Sequence, residues 1–262
     1  MTNRRWLITG CSSGLGHALA TYLTAKGEQV LATARNISGL DFPHVTRLDV
    51  TDPEQCEAAV NLAVERFGGI DVLVNNAGYG QMGVVEEVSD AELEAQFATN
   101  VFGPWRLARL VLPHWRAQGG GHAVFVSSIS GSLPLPNLSA YTASKFAFEG
   151  LAESLAQDAG MFGVKVTILQ LGGFTTDYGK KAFDPARKLP EYEPVAGEIE
   201  QLVRGLADNP DCWSPETFAA MVGRLVEMPD PPLRLPYGGK AREFLEGAFA
   251  ARRAAFDTVQ EP

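Results

Sequence analysis

Short apolar runs alternate with longer amphipathic stretches along most of this chain. Two of the amphipathic stretches, 53–67 and 90–115, have the length and pattern of helices. The runs that we interpret as buried parallel strands are Trp6–Thr9, Val30–Ala34, Val45–Asp49, Val72–Asn75, Ala123–Ser127 and Val164–Gln170. Crossovers between parallel strands are right-handed, so this alternation predicts an α/β fold with one doubly wound parallel sheet and helices on both faces.

We expect the strands to lie in the order 3-2-1-4-5-6-7, with a short seventh strand around Leu233–Leu235. A chain of 262 residues with 45% hydrophobic content can bury the core that such a sheet requires. We therefore predict a single domain over residues 1–262. The first and fourth strands would then flank the crevice in which sheets of this kind bind ligands.

A glycine-rich turn joins the first predicted strand to the first predicted helix. The turn is Gly10-Cys11-Ser12-Ser13-Gly14-Leu15-Gly16, and residues 17–26 continue as a helix that ends at Gly27. Glycines let the backbone approach a pyrophosphate, and the N–H groups that open a helix favour its negative charge. The spacing differs from the common Gly-x-Gly-x-x-Gly pattern. We interpret the turn as a dinucleotide-binding loop; the alternative is a tight turn without a ligand.

A second motif combines a phenol, an ammonium group and a hydroxyl. Tyr141 and Lys145 are four residues apart, which places them on one face of a helix. Ser128 ends an apolar run, at the carboxyl edge of the sheet, where catalytic groups are expected. A nearby positive charge lowers the pKa of a phenol, so we expect Lys145 to prepare Tyr141 for proton transfer. Taken alone, the pair also fits a helix whose tyrosine covers the core while its lysine is solvated.

Together these motifs resemble those of the tyrosine-dependent short-chain dehydrogenase/reductase family. Residues 9–16 match its Thr-Gly-x-x-x-Gly-x-Gly loop, and 75–78 match its Asn-Asn-Ala-Gly turn. The resemblance runs from about residue 5 to residue 177, and more loosely to the end. It implies a Rossmann-type domain, a nicotinamide cofactor and a catalytic tetrad of Asn100, Ser128, Tyr141 and Lys145. In this family the asparagine holds a water molecule of a proton relay.

The resemblance also assigns residues to the cofactor. Asp49 would accept a hydrogen bond from the adenine, Lys145 would hold the nicotinamide ribose, and Thr176 would contact the nicotinamide carboxamide. The expected cofactor-binding residues are Gly10, Ser12, Ser13, Gly14, Leu15, Gly16, Arg35, Asp49, Val50, Asn76, Ala77, Gly78, Tyr141, Lys145, Gly172 and Thr176. Leu171-Gly172 stands where the family usually has Pro-Gly. Without the proline, φ is free and an N–H is restored, so we expect a less rigid nicotinamide-side loop.

The choice between the two nicotinamide cofactors depends on the end of the second strand. Ala34 lies where an NAD enzyme carries an acid for the ribose hydroxyls, and Arg35 follows it. A guanidinium pairs with a 2′-phosphate, which an acid would repel. We therefore expect NADP(H) rather than NAD(H); the alternative is that Arg35 is an ordinary surface charge.

The substrate region is less well defined by motifs. Residues 178–194 break the helical pattern and predict a substrate loop or lid, with an ordinary surface connection as the alternative. The expected substrate-lining residues are Tyr79, Ser130, Leu135, Phe174 and Tyr178. This largely apolar set favours a hydrophobic or aromatic ketone, aldehyde or alcohol, although a packed core has the same composition.

Charge and cysteine content exclude several classes of protein. The net charge of −9 argues against nucleic acid and anionic membrane surfaces as partners. Cys11, Cys56 and Cys212 are odd in number and lack metal-ligand spacing, so we expect neither a disulfide framework nor a metal site. Cys11 is interpreted as a packed residue of the glycine loop. No apolar run has the length of a signal segment or a membrane span, so we expect a cytoplasmic protein.

By resemblance, the helices within 90–115 and 140–157 pair between subunits of a homodimer or homotetramer. They carry aromatic residues beyond a single inward stripe: Phe97, Phe102, Trp105, Phe146 and Phe148. A two-fold interface would bury these side chains; the alternative is that they fill the layer between helix and sheet.

The function predicted from these features is NADP(H)-dependent interconversion of a small-molecule ketone or aldehyde and its alcohol. Two alternatives remain. An isomerase or lyase of the same fold would show no net redox change. A non-catalytic NADP-binding regulator would have little reason to keep the complete tetrad.

Overall fold

The computed structural model describes residues 3–258, so residues 1, 2 and 259–262 of the predicted domain lie outside the described residues. Its sheet has seven parallel strands in the order β3-β2-β1-β4-β5-β6-β7, which confirms the predicted topology. The strands are β1 (Arg5–Ile8), β2 (Gln29–Ala34), β3 (Val45–Arg47), β4 (Val72–Asn75), β5 (Gly121–Val126), β6 (Val164–Leu171) and β7 (Arg234–Tyr237).

Helices cover both faces of this sheet. They are α1 (Gly14–Ala25), α2 (Pro53–Phe67), α3 (Asp90–Phe97), α4 (Gly103–Gln118), α5 (Ser139–Ala159), α6 (Glu193–Arg204), α7 (Pro215–Glu227) and α8 (Ala241–Phe256). One core lies between the sheet and α2, α4 and α5, and includes Trp115 and Phe148. The other lies between the opposite face and α1 and α7, and includes Leu19 and Phe218. The sheet is therefore buried on both sides, as its continuous apolar runs predict.

Local signals explain where several helices begin and end. The Asp52 carboxylate accepts hydrogen bonds from the backbone N–H groups of Glu54 (2.9 Å) and Gln55 (3.2 Å), and Pro53 occupies the first helical position of α2. The helix ends at Gly68, whose φ of +78° is left-handed. Such caps satisfy N–H and C=O groups that a helix leaves unpaired. They account for the agreement between predicted and observed bounds of α2.

The stretch 90–115 is not the single helix that the sequence predicts. It divides into α3 and α4 around a π-helical turn, Ala98–Phe102. Gly103 follows this turn and lies against Val50, with no space for a Cβ atom between them. Such π turns are uncommon and are often found at functional sites. The turn carries Asn100 of the expected tetrad.

Within residues 3–258, no helix combines the length and the apolar character needed to cross a membrane.

A buried histidine makes stability depend on pH. His122 on β5 is 4% exposed, and its ring nitrogen bonds Thr167 Oγ1 at 3.0 Å. Burial lowers its pKa to about 4, so the unfolded chain takes up a proton near pH 6.5 while the folded protein does not. Stability that is present above pH 6.5 is then lost as the pH falls towards 4. We expect this residue to account for roughly 2–3 kcal/mol between pH 7 and pH 4.5.

Urea unfolding of the protein and its His122→Gln variant at these two pH values measures that contribution. The variant cannot take up the proton, so its loss of stability on acidification should be smaller by the same amount. Equal losses in the two proteins would contradict the assignment.

Candidate active site

The glycine-rich turn lies directly against the loop that follows β4. Gly10 has φ of +75°, and a Cβ atom on it would lie 2.9 Å from the Ala77 Cα. A Cβ on Gly16 would overlap both the Gly10 carbonyl and the Asn76 side chain. These glycines are therefore required by the close approach of the two loops, as well as by the turn itself.

Hydrogen bonds join the same two loops. Thr9 Oγ1 accepts from the backbone N–H groups of Asn76 (3.0 Å) and Ala77 (2.9 Å). The Asn76 side chain in return donates to the Thr9 carbonyl at 2.8 Å. Thr9 and Asn76 thus form a rigid floor at the carboxyl ends of β1 and β4, the crevice that the strand order predicts.

The start of α1 is suited to an anion. Ser13 is its N-cap, yet the Ser13 side chain caps none of the helix N–H groups, and the first turn contains no acidic residue. The Lys181 ammonium donates to Ser13 Oγ at 3.0 Å, which adds a positive charge beside the exposed Ser12 and Ser13. Helix N–H groups, the helix dipole and this cation all favour a pyrophosphate. Lys181 was missed by the sequence analysis, which predicted only that its segment is a loop.

Cys11, in the same turn, is fully buried and donates to the Ile8 carbonyl. Burial raises the pKa of its thiol to about 12. A thiol in this state is neutral and unreactive at physiological pH, in keeping with its interpretation as a packed residue.

The remaining expected cofactor residues surround this floor. Arg35 is exposed directly after β2, and it forms no ion pair with any residue of the described range 3–258. Burial raises the pKa of Tyr79, and the positive charge of Arg35 partly offsets this rise, so the guanidinium lies near enough to act on that phenol. Asp49 is half-buried and accepts from the Thr51 hydroxyl at 2.7 Å, while Val50 is buried. Arg35 therefore lies at the β2 side of the crevice.

The loop after β6 reaches the glycine turn. Thr176 lies beside Gly14, since a Cβ atom there would lie 3.7 Å from the threonine methyl. Gly172 donates to the Tyr237 carbonyl at 2.9 Å, and Gly173 exchanges hydrogen bonds with Gly239 at 3.2–3.3 Å. Leu171 itself belongs to β6 and is buried. These backbone hydrogen bonds to Tyr237 and Gly239 thus hold the loop that follows Leu171, the residue at the position of the family's usual proline.

Asn100 connects the crevice to the helix that carries Tyr141. Its side chain bonds both backbone groups of Tyr79, at 3.2 Å to the N–H and 3.1 Å to the carbonyl. It also donates to Ser144 Oγ at 3.1 Å, and that hydroxyl donates to the Tyr141 carbonyl at 2.7 Å. Gly78 lies against Asn100, because a Cβ atom added to Gly78 would be only 3.1 Å from the Asn100 Oδ1. Asn100 therefore links the π-helical turn, the loop after β4 and α5.

Ser128 and Tyr141 meet at the carboxyl edge of the sheet. Ser128 caps a short 3₁₀ turn after β5, and its Oγ accepts from the Ser130 N–H at 3.1 Å. Tyr141 lies in the first turn of α5 and is 7% exposed. The hydroxyls of Ser128 and Tyr178 are close enough to influence its ionisation. The Ser128 hydroxyl can still donate its own hydrogen to another group, because it acts only as the acceptor in its bond with the Ser130 N–H.

The pKa of Tyr141 moves in the direction opposite to our expectation. Burial raises it, because the phenolate loses its hydration; the Tyr178 and Ser128 hydroxyls lower it, and the Glu149 charge raises it further. The Lys145 ammonium donates to the Val126 carbonyl at 2.9 Å and lies 5.8 Å from the Tyr141 ring centre. Desolvation therefore outweighs the stabilising hydroxyl contacts, and the Lys145 ammonium is not among the groups that shift this pKa.

Lys145 is itself buried on the same helix face. It is 8% exposed, and its ammonium lies 4.7 Å from the centre of the Phe148 ring. Burial lowers its pKa to about 8, and the negative charge of Glu149 opposes this shift. With a pKa near 8 the side chain remains mainly protonated at neutral pH.

An apolar wall faces Tyr141. Tyr178 stacks at a tilt on Tyr141, with ring centres 5.9 Å apart, and Leu135 packs into the same cluster. Burial, followed by the neighbouring Tyr141, raises the pKa of Tyr178 well above its usual value. The two phenols interact without a well-formed hydrogen bond, because the Tyr178 hydroxyl has no such partner among the described residues. The other members of this wall are Met82, Leu138, Ala182, Ile199 and Val203.

The segment 178–194 lies over the loop after β4. Phe183 donates to the Gly80 carbonyl at 2.9 Å and accepts from the Met82 N–H at 2.8 Å. Its ring packs edge-on against Tyr79, with centres 5.1 Å apart. The last two residues of the predicted loop, 193 and 194, belong to α6. The segment therefore packs on the loop after β4, and Tyr178 at its start contacts Tyr141; its role as a substrate lid stays a prediction.

Three of the five expected substrate residues lie outside the apolar wall, and one of them, Tyr79, packs against Phe183. Ser130 is buried in the turn after Ser128. Phe174 packs instead in the core beneath α7, with ring centres 6.0 Å from Phe218 and 6.3 Å from Tyr237. Its apolar character alone does not distinguish these two environments. Over residues 3–258, no group of His, Cys, Asp or Glu side chains has the arrangement of a metal site.

Comparison with known proteins gives consistent results. The profile of the short chain dehydrogenase family matches residues 4–187. Oxidoreductase BOA17 of Botryotinia fuckeliana is 35% identical over 259 residues, which cover 93% of this chain and 94% of the relative. The 3-ketodihydrosphingosine reductase of Bacteroides thetaiotaomicron is 33% identical, covering 88% of this chain and 87% of the relative. A short-chain dehydrogenase structure from Streptomyces avermitilis superposes with a TM-score of 0.91 at 39% identity, covering 98% of this chain and 96% of that one.

Proposed function

The chain belongs to the short-chain dehydrogenase/reductase family of nicotinamide-dependent oxidoreductases, and from that premise we propose that it reduces an apolar or aromatic ketone or aldehyde with NADPH, or oxidises the corresponding alcohol with NADP⁺. The observation that carries this proposal is the position of the buried Tyr141. Its phenol adjoins the Ser128 hydroxyl, the Lys145 ammonium and an apolar wall. Residues suited to orient and to protonate a carbonyl group therefore lie close to one another.

Each tetrad residue has a proposed task. When bound, the nicotinamide supplies the hydride for reduction. Ser128 donates its free hydrogen to the substrate oxygen, and Tyr141 donates the proton as negative charge develops there. Burial raises the pKa of Tyr141, so the phenol carries its proton at neutral pH and can act as the donor. Lys145 offers an ammonium group to the cofactor ribose, and Asn100 holds a relay water while its amide ties α5 to the loop after β4.

NADP(H) is proposed over NAD(H) because of charge around the crevice. Ala34 is buried at the end of β2 and leaves no acid for ribose hydroxyls, while Arg35 is exposed and free of ion pairs within residues 3–258. A guanidinium in this position matches a 2′-phosphate. The effect of Arg35 on Tyr79 supports an orientation towards the crevice.

Replacing Arg35 with Asp should weaken NADPH binding by about 10- to 100-fold and leave NADH binding much less changed. Charge-assisted hydrogen bonds of about 1.5–3 kcal/mol would be lost, and the new carboxylate would repel the phosphate. Steady-state kinetics with both cofactors measures the ratio. Arg253→Asp, an equal charge change on the exposed face of α8, is the control. An unchanged cofactor preference in Arg35→Asp would refute the assignment.

The proposed substrate class rests on the wall opposite Tyr141. Met82, Leu135, Leu138, Ala182, Ile199 and Val203 pack there with the two tyrosines, and all six side chains are apolar. An apolar site favours a hydrophobic carbonyl compound over a sugar phosphate. The 3-ketodihydrosphingosine reductase among the relatives is compatible with such chemistry.

A panel of apolar, aromatic and polar carbonyl compounds with NADPH, and of alcohols with NADP⁺, tests the proposal. The absorbance of the reduced nicotinamide should change only with a substrate that is turned over. Product formation without such a change would support the isomerase or lyase alternative. Tight NADPH binding with no turnover of any compound would support the regulator.

We also propose a homodimer or homotetramer in a reducing, cytoplasmic compartment. Phe102 and Trp105 are each 54% exposed and Phe146 is 39% exposed, which supports a covered helix face, whereas Phe148 fills the core. Sedimentation as a single 28.2 kDa species would oppose the oligomer. The three free thiols support the compartment, and cell fractionation tests it.

A further inference from the structure

A buried carboxylate lies beside the tetrad. Glu149 is 1% exposed on α5 and shares a helix face with Tyr141 and Lys145, since the three residues are spaced four apart. The mechanism proposed above gives it no task. A buried acid at this position requires compensating partners, and those partners indicate what it does.

The first group of partners belongs to the turn that carries Ser128. Ser127 Oγ donates to one carboxylate oxygen of Glu149 at 2.7 Å, and Ser132 Oγ lies 3.4 Å from the other. Gly131 lies so close to Glu149 that no Cβ atom could be added. The carboxylate therefore holds the turn on both sides of Ser128. Gln170 on β6 donates to Glu149 at 3.0 Å and to Ser132 at 2.8 Å, which ties the turn to the sheet.

The second group of partners is charged. Arg234 on β7 forms an ion pair with Glu149 through one guanidinium nitrogen, and its Nε lies 3.0 Å from the Glu153 Oε1. The Glu149 charge raises the pKa values of Tyr141 and Lys145 on α5 and of Arg234 on β7, and Arg234 also pairs with Glu153 on α5. The contacts of Glu149 from the 127–132 turn and from β6 are uncharged. The negative charge of Glu149 favours the protonated forms of both Lys145 and Tyr141.

We propose that Glu149 is a positioning residue of the active site: it holds the Ser128 turn through Ser127 and Ser132, and its buried negative charge, one helical turn from Lys145 on the same face of α5, acts on that ammonium. The inference rests on the proposed function only for its kinetic consequence. The hydrogen bonds and the electrostatic coupling are properties of the folded chain and are measurable without substrate or cofactor.

The electrostatic part is tested by titrating Lys145 in protein labelled with ¹³C-lysine, with the resonance assigned from its absence in Lys145→Arg. Glu149→Gln should lower the midpoint by about one pH unit. Arg234→Gln should raise it, because the field of Glu149 is then less compensated. Glu153→Gln, which removes the exposed partner of Arg234, should change it least. If Glu149 only filled space, Glu149→Gln and Arg234→Gln would not shift the Lys145 midpoint in opposite directions. An identical midpoint in the unmodified protein and the three variants would overturn the electrostatic part of the proposal.

The positioning part is tested by Ser127→Ala, which removes one contact and keeps every charge. We expect kcat for carbonyl reduction to fall on the order of tenfold with a smaller change in KM and no shift of the Lys145 midpoint.

In Glu149→Gln, the loss of reductase activity at high pH should begin about one pH unit lower than in the unmodified protein. Unchanged kcat in Ser127→Ala would overturn the positioning role. Absence of turnover in the unmodified protein would count against the proposed function, while the lysine titration would still decide the coupling.

Discussion

Tyr141→Phe should lower kcat by on the order of 100- to 10,000-fold while leaving NADPH affinity nearly unchanged. The substitution removes one oxygen atom from a buried ring and keeps the packing against Tyr178. The proposed proton donor is lost, and no other titratable hydroxyl of the tetrad replaces it, since serine is a far weaker acid. Steady-state turnover with the best carbonyl of the panel gives kcat, and quenching of protein fluorescence by NADPH gives the affinity.

Tyr178→Phe is the matched control for this result. Its ring lies 5.9 Å from that of Tyr141 and is partly buried in the same cluster, but its hydroxyl has no well-formed hydrogen bond within the described residues. We expect less than about a tenfold loss, mainly in KM, because this phenol lines the substrate wall without donating the proton. Substantial activity in Tyr141→Phe, or an equal loss in both variants, would contradict the role of Tyr141.

Gly16→Ala should reduce NADPH affinity by on the order of 100-fold and destabilise the protein by about 1–3 kcal/mol. The added methyl group has no space, because the Gly10 carbonyl and the Asn76 side chain both occupy its position. These groups belong to the floor that joins the loops after β1 and β4. Displacing them would move the turn away from the pyrophosphate. Calorimetric titration with NADPH and urea unfolding measure the two effects.

Gly247→Ala is the control for this substitution. Gly247 lies on the exposed side of α8, and a Cβ atom there would meet nothing within 4 Å. Alanine in a helix interior should stabilise by about 0.5–1 kcal/mol, with NADPH binding unchanged. If Gly16→Ala also bound NADPH normally, the close approach of the two loops would not be needed for the cofactor.

Local chemistry explains which elements were predictable. The bounds of α2 agree with the prediction because Asp52, Pro53 and Gly68 are capping signals that act within a few residues. The strand order was confirmed because buried parallel strands have recognisable apolar runs and the family resemblance supplies their arrangement. The division of 90–115 was missed, because the amphipathic pattern continues through a π turn that Asn100 stabilises by bonding the distant Tyr79.

The candidate site divides in the same way. The motifs named the tetrad and the glycine loop, whereas Phe174 lies in the core and Lys181 reaches Ser13 across 168 positions of sequence. The spacing also predicts a lowered pKa for Tyr141, whereas burial raises it, because spacing reveals a neighbouring lysine but not the degree of burial. Desolvation depends on every group that covers the phenol, including Tyr178 from a separate segment.

Periodicity and short motifs encode the family, the α/β topology and the residue types available for hydride and proton transfer, so these can be inferred before the fold is known. The burial of Tyr141 and Lys145, the packing of the apolar wall and the contacts of Glu149 with the Ser128 turn follow only from the folded arrangement. Electrostatic energies depend on distance and solvent exclusion, and both arise when residues far apart in the chain are packed together.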